Sequence, residues 1–169
     1  VAYGADNSEF AIYTSSDGDT WAFGGVIFDG TGVFSDFGKI DGPFLFKDGA
    51  KYRLYFQVKN AAGTRYDIYT AESESITGTY ALANSNSPVL SPVAGSAWEG
   101  QFVMQPWVVK DGNIYYMWYS AHSGDSNSMQ TGFAWSTDGY SWHRSPGNPV
   151  FPIATFGFGS ESSIIKDGN

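Results

Sequence analysis

Lys110-Asp111-Gly112-Asn113-Ile114-Tyr115-Tyr116-Met117-Trp118-Tyr119 decides the fold. The Asp-Gly pair demands a tight turn, because only a few residue types accept the left-handed backbone that a two-residue hairpin requires. Apolar Pro106-Trp107-Val108-Val109 precedes the turn, and an aromatic run follows it. Strand, turn and strand make a β-hairpin. The hairpin recurs. Lys47-Asp48-Gly49 follows Pro43-Phe44-Leu45-Phe46 and leads into Tyr52-Arg53-Leu54-Tyr55-Phe56. Lys166-Asp167-Gly168 follows Ser162-Ser163-Ile164-Ile165. The three Lys-Asp-Gly turns are spaced by 63 and 56 residues, a period that marks a repeat architecture.

A second motif runs out of phase with the first. Ser15-Ser16-Asp17-Gly18-Asp19-Thr20-Trp21 matches Ser136-Thr137-Asp138-Gly139-Tyr140-Ser141-Trp142, and each follows a short aromatic strand. The middle copy, Tyr66 to Ser73 and then Gly78-Thr79-Tyr80, is degenerate. Asn148-Pro149-Val150-Phe151 echoes Ser87-Pro88-Val89-Leu90. Four antiparallel strands in roughly 40–50 residues form a β-propeller blade. The expected fold is therefore all-β, with whole blades over about 42–90 and 105–151. A third blade is expected to be split between 1–24 and 161–169, pairing the first and last segments and covering their edges. Three blades are fewer than the four to eight of a typical ring. The chain is then either a fragment of a longer propeller or one member of a homo-oligomer that closes head to tail.

Composition agrees. Aromatic residues make up 18% of the 169 residues and Gly numbers 21, which suits twisted strands joined by tight turns. A formal charge of −8 argues against a nucleic-acid partner, since phosphate binding needs clustered Lys and Arg. No run of 18 apolar residues is present, so no membrane-spanning helix is expected. With no cysteine there is no disulfide framework, thiolate nucleophile or Cys-ligated metal. The absence of an initiator Met at Val1 reads as processing or as a fragment. Low charge with abundant Ser, Asn, Gly and Tyr reads as a secreted, carbohydrate-handling protein.

These motifs carry a family resemblance over nearly the whole chain. Pro106-x-Val108-x-Lys110-Asp111-Gly112 with Tyr115-Tyr116-Met117-Trp118-Tyr119-Ser120, then Gly132-Phe133-Ala134, Asp138-Gly139 and Asn148-Pro149-Val150, resembles the five-bladed propeller glycoside hydrolases of families 43 and 32. The Asp-Gly-x-x-Trp turn also resembles the sialidase Asp-box, although its spacing differs. The resemblance implies a central funnel with carboxylates at the starts of the innermost strands, one protonated and one ionised, on either side of a glycosidic bond. Asp41, in Asp41-Gly42-Pro43, and Glu161, just before the third apolar run, stand at those starts and are the expected catalytic pair. Gln105 holds the corresponding place with an amide, which cannot transfer a catalytic proton but can hydrogen-bond a sugar. Trp107 and Trp98 are candidate stacking surfaces, and His122 a candidate sugar contact. Glu99 pairs by repeat with Asp36, each seven residues before a strand proline, and is either a sugar contact or a structural link. Asp17, Asp48, Asp111 and Asp138 read as turn residues, and Trp21 and Trp142 as packing between blades. No metal or cofactor is expected. The functional expectation is paired-carboxylate hydrolysis of a polysaccharide. The alternatives are a non-catalytic carbohydrate-binding propeller and a module that assembles through its split blade.

Overall fold

The computed structural model describes residues 2–3, 8–34, 38–156 and 163–165. Eleven strands carry the fold. A three-stranded antiparallel sheet comprises β1 (Ala2–Tyr3), β2 (Glu9–Thr14) and β3 (Ala22–Asp29) in that order. Two four-stranded antiparallel meanders follow. One holds β4 (Lys39–Asp48), β5 (Lys51–Lys59), β6 (Tyr66–Ser73) and β7 (Ala81–Leu82). The other holds β8 (Phe102–Asp111), β9 (Ile114–His122), β10 (Gln130–Ser136) and β11 (His143–Arg144). The meanders touch edge to edge at one parallel pair, Tyr66 beside Phe102. These are blades of β-propeller type.

The repeat holds at the level of single bonds. Ile68 bridges Leu90 in one blade, and Thr131 bridges Phe151 in the next. Each innermost strand is bulged at the same place, between Asp41 and Phe44 in β4 and between Met104 and Trp107 in β8. In the Asp-Gly turns, Asp17 Oδ1 accepts from the amides of Asp19 and Thr20, and Asp138 Oδ1 accepts from those of Tyr140 and Ser141. The indoles of Trp21 and Trp142 each donate to the glycine carbonyl, Gly18 or Gly139. The hydrogen bonds from the Thr20 and Asp19 amides hold the Asp17 carboxyl down at about 2, where it stays a charged acceptor.

Apolar layers join the sheets face to face. Residues 53–58 of β5 are buried on both sides of the strand, which is why this stretch reads as continuous hydrophobicity rather than alternation. Leu54, Phe56 and Val58 pack with Phe10, Ile12, Ile27 and Phe28 of the three-stranded sheet. Tyr55, with Ile68 of β6, turns the other way, onto Val108, Met117, Tyr119 and Ala134.

The C-terminal segment departs from the split-blade expectation. Val108, Tyr115 and Met117 face the preceding blade, so Val109, Tyr116 and Trp118 face away from it. Ile164 and Ile165 lie against that second set, and the Ile164 carbonyl accepts from the Trp107 indole at 2.5 Å. The described part of 161–169 thus stacks at the far end of the row of blades from β1–β3. The rest of that segment, residues 161–162 and 166–169, lies outside the described residues. Trp21 also differs from expectation. It is 59% exposed, because it lies on the outward face of the end sheet, whereas Trp142 packs onto the core between the blades.

Candidate functional site

The bulges in β4 and β8 create the most distinctive local geometry. Gly42 has φ +57° and Gln105 has φ +52°. Glycine takes this region freely, but for a glutamine it costs about 1–2 kcal/mol. Such a cost persists only where the surroundings hold the residue in place. Here the Gln105 amide donates to Gln57 Oε1 at 2.5 Å. Gln57 is the lone amide in the buried run of β5, and a Cβ on Gly42 would stand 2.6 Å from the same oxygen. One side chain therefore clamps both bulges and fixes the starts of both innermost strands.

Asp41 sits beside this clamp. Its Oδ1 accepts from the Gly42 amide at 2.9 Å, and its Oδ2 lies 3.3 Å from Lys39 Nζ. Lys39 and Asp41, two residues apart, share one face of β4, while Ile40 between them is buried on the other. Tyr66 closes the group: burial pushes its phenol above the ordinary value, outweighing the nearby Lys39, which lowers it. The Asp41 side chain keeps 26% exposure, so the carboxylate is oriented yet reachable. The arrangement provides a carboxylate beside an ammonium, with the partly buried Gln105 amide next to it.

The other expected site residues divide. Glu161 lies outside the described residues, as does Asp36, so the separation of the Asp41 and Glu161 carboxyls is undefined. Trp107 is half-buried between innermost strands, with its ring 4.7 Å from Phe44 and its indole N–H given to Ile164. Of the two readings of Glu99, its surroundings are those of a structural link. It is 5% exposed and accepts from Tyr119 Oη and Arg144 Nε, both at 3.0 Å. Trp98 is half-buried. It stacks on Tyr119 inside its own blade, and a Cβ on Gly132 would lie 2.6 Å from its ring.

His122 ends β9, and it is buried, stacked 4.3 Å from Phe102. Its Nδ1 accepts from the Gly124 amide at 3.1 Å. Burial lowers its pKa, outweighing Asp125, which raises it. The unfolded chain therefore takes up this proton first. The stability His122 contributes is complete above about pH 6.5 and is lost as pH falls through the lower folded value. Urea midpoints should decline between pH 7.5 and 5 more steeply for the native chain than for His122→Gln. Parallel declines would show that His122 does not control that window.

Sequence reading missed Lys39, Gln57 and Tyr66. Two signals were available, a polar pair at spacing two on one face of a strand and one amide inside an apolar run. Among the described residues no group of three His, Asp or Glu side chains is placed to hold a metal ion.

No family model and no curated protein matches the chain. Solved structures do. Zg3597, a family 117 glycoside hydrolase of the marine bacterium Zobellia galactanivorans, superposes with a TM-score of 0.73 at 19% identity, over 88% of this chain and 45% of its own. A glycosyl hydrolase from Bacteroides ovatus gives 0.54 at 17%, over 65% and 31%. The fold is glycoside-hydrolase-like. The chain spans less than half the length of either of these relatives in fold, and at such identities the likeness speaks for architecture alone.

Proposed function

We propose that this chain carries part of the active site of a secreted glycoside hydrolase of five-bladed propeller type, with Asp41 as the carboxylate that works in its ionised form. The observation behind this reading is the Lys39–Asp41 pair at the bulged start of an innermost strand. A carboxylate oriented by the Gly42 amide and paired with an ammonium at the start of an innermost strand has the placement of a base or nucleophile. The acid would come from Glu161, which the resemblance places at the third such start, after Gln105. Gln105, which is only partly buried, offers a side-chain amide to sugar hydroxyls. Tyr13, Trp21 and Phe23 at one end of the stack, and Trp135, Phe151 and Ile165 at the other, are exposed faces on which further blades would complete the funnel.

The test is hydrolysis of arabinan, xylan and fructan oligosaccharides, followed as reducing ends released. Asp41→Asn should lower the rate on whichever substrate is cut by about 10²-fold or more, the scale of a lost acid–base group. An unchanged rate would remove Asp41 from the chemistry. A non-catalytic binding module is the second reading, favoured by the amide at Gln105 where a carboxylate is expected. It predicts retention of an oligosaccharide that no variant and no native chain cuts.

A further inference from the structure

A pocket of about 380 Å³ opens on the other face of the β4–β7 blade. Its walls include Phe34, Asn60, Arg65, Asp67, Tyr69 and Asn86. Side chains alternate along β6, so Tyr66 points to the Asp41 group while Asp67 and Tyr69 point away from it. The pocket and the Asp41 group are therefore separate surfaces.

The chemistry of the walls is specific. Phe34 and Tyr69 meet at 4.9 Å and 71°, making an apolar corner with the rings set edge to face. Arg65 donates from Nε and Nη2 to the two oxygens of Asp67, both at 2.7 Å. That fork uses two of the five guanidinium N–H groups, and the side chain is half exposed. The pair is electrically neutral, so it presents donors and acceptors side by side without attracting an anion. Asn60 accepts from the Thr64 and Arg65 amides and holds the rim in shape. Asn84, Ser85 and Asn86 are three successive non-glycine residues in the left-handed region, with φ of 54°, 53° and 60°. L side chains disfavour that backbone, and runs of it persist where surrounding structure imposes them. Asn84 pins the run by donating to the Ser87 and Pro88 carbonyls, and the run places Asn86 at the pocket wall.

We infer that this pocket is a second carbohydrate-binding site, for a neutral pyranose. A pyranose has one face of C–H groups, which the aromatic corner fits, and a rim of hydroxyls that each donate and accept. The Arg65–Asp67 fork and the Asn86 amide offer both kinds of partner. The volume lies within the range of small-molecule sites. This inference stands apart from the catalytic reading of Asp41.

Saturation-transfer NMR on the full chain tests it, with methyl β-D-galactopyranoside and methyl β-D-glucopyranoside as probes and cyclohexanol as the control. At least one glycoside should receive saturation where cyclohexanol does not. Tyr69→Leu should weaken its apparent affinity about tenfold, the effect of about 1.4 kcal/mol. Asn86→Gly removes the amide while easing the backbone, so it keeps the fold and should weaken binding as well. Asp41→Asn should leave binding unchanged. The inference fails if neither glycoside exceeds the control. It also fails if Asp41→Asn abolishes transfer while Asn86→Gly does not, a result that would place the sugar at the Asp41 group and leave the catalytic reading intact.

Discussion

Replacing Gly139 with alanine is expected to destabilise the chain by about 2–5 kcal/mol, and the same change at Gly18 by only about 1 kcal/mol. Both glycines occupy the same position in repeated turns, with φ +79° and +82°, so the backbone penalty is shared. Their surroundings differ. A Cβ on Gly18 would meet nothing within 4 Å. A Cβ on Gly139 would overlap the Arg53 guanidinium and stand 2.8 Å from Tyr55 Oη. Neither group has room to retreat. Tyr55 is fully buried and donates to the Gly139 carbonyl at 2.8 Å. Arg53 donates to the Asp138 carbonyl at 2.8 Å and lies over the rings of Tyr115 and Tyr140. The turn is thus a docking element between blades, and its glycine is needed for approach as well as for conformation. Urea unfolding measures the difference as a midpoint shift at constant slope. Equal losses at the two positions would show that conformation alone sets the requirement.

This contrast also explains what could be read in advance. The meanders follow from local rules, namely Asp-Gly turns, Pro-marked strand starts and aromatic runs. Those rules act within a few residues. Whether a given face is covered depends on which sheet lies next to it, and no local rule carries that. Trp21 and Trp142 have the same motif and opposite exposures for this reason. Glu99 and Asp41 looked alike as carboxylates near strand starts. Arg144, which neutralises Glu99 inside the blade, lies 45 residues away from it. The link from Gln57 to Gln105 spans 48 residues, so the clamp that shapes the candidate site was invisible although each partner was in plain view.

Replacing Arg53 with methionine should cost about 3–5 kcal/mol at pH 7, the scale for removing one member of a buried ion pair. Arg53 Nε is 2.8 Å from Asp48 Oδ2 and 3.2 Å from Glu72 Oε1, and those carboxylate side chains are only 7% and 13% exposed. The Arg53 Nε approach to Asp48 is an ion pair without an aligned hydrogen bond, so the stabilisation there is mainly Coulombic. Other partners remain after substitution. Lys110 and Tyr115 reach Asp48, and Lys51 and Tyr140 reach Glu72. Burial alone would raise both carboxyl pKa values, yet these hydrogen bonds and the Arg53 charge hold them below the ordinary range. Depressed folded values mean that the stabilisation is complete above the unfolded carboxylate pKa, about 4, and is lost as pH falls through the folded values. The cost of Arg53→Met should therefore shrink between pH 7 and pH 3, because protonated carboxyls no longer need the cation. A cost that stays constant over that range would assign the role of Arg53 to packing against Tyr115 and Tyr140. The position 63 residues later in the repeat is Tyr116, which faces Ile164 and Ile165. The charged network thus belongs to the junction between the two meanders, and the repeat does not carry it to Tyr116. Its carboxylates are buried, so added salt should change the cost of Arg53→Met little.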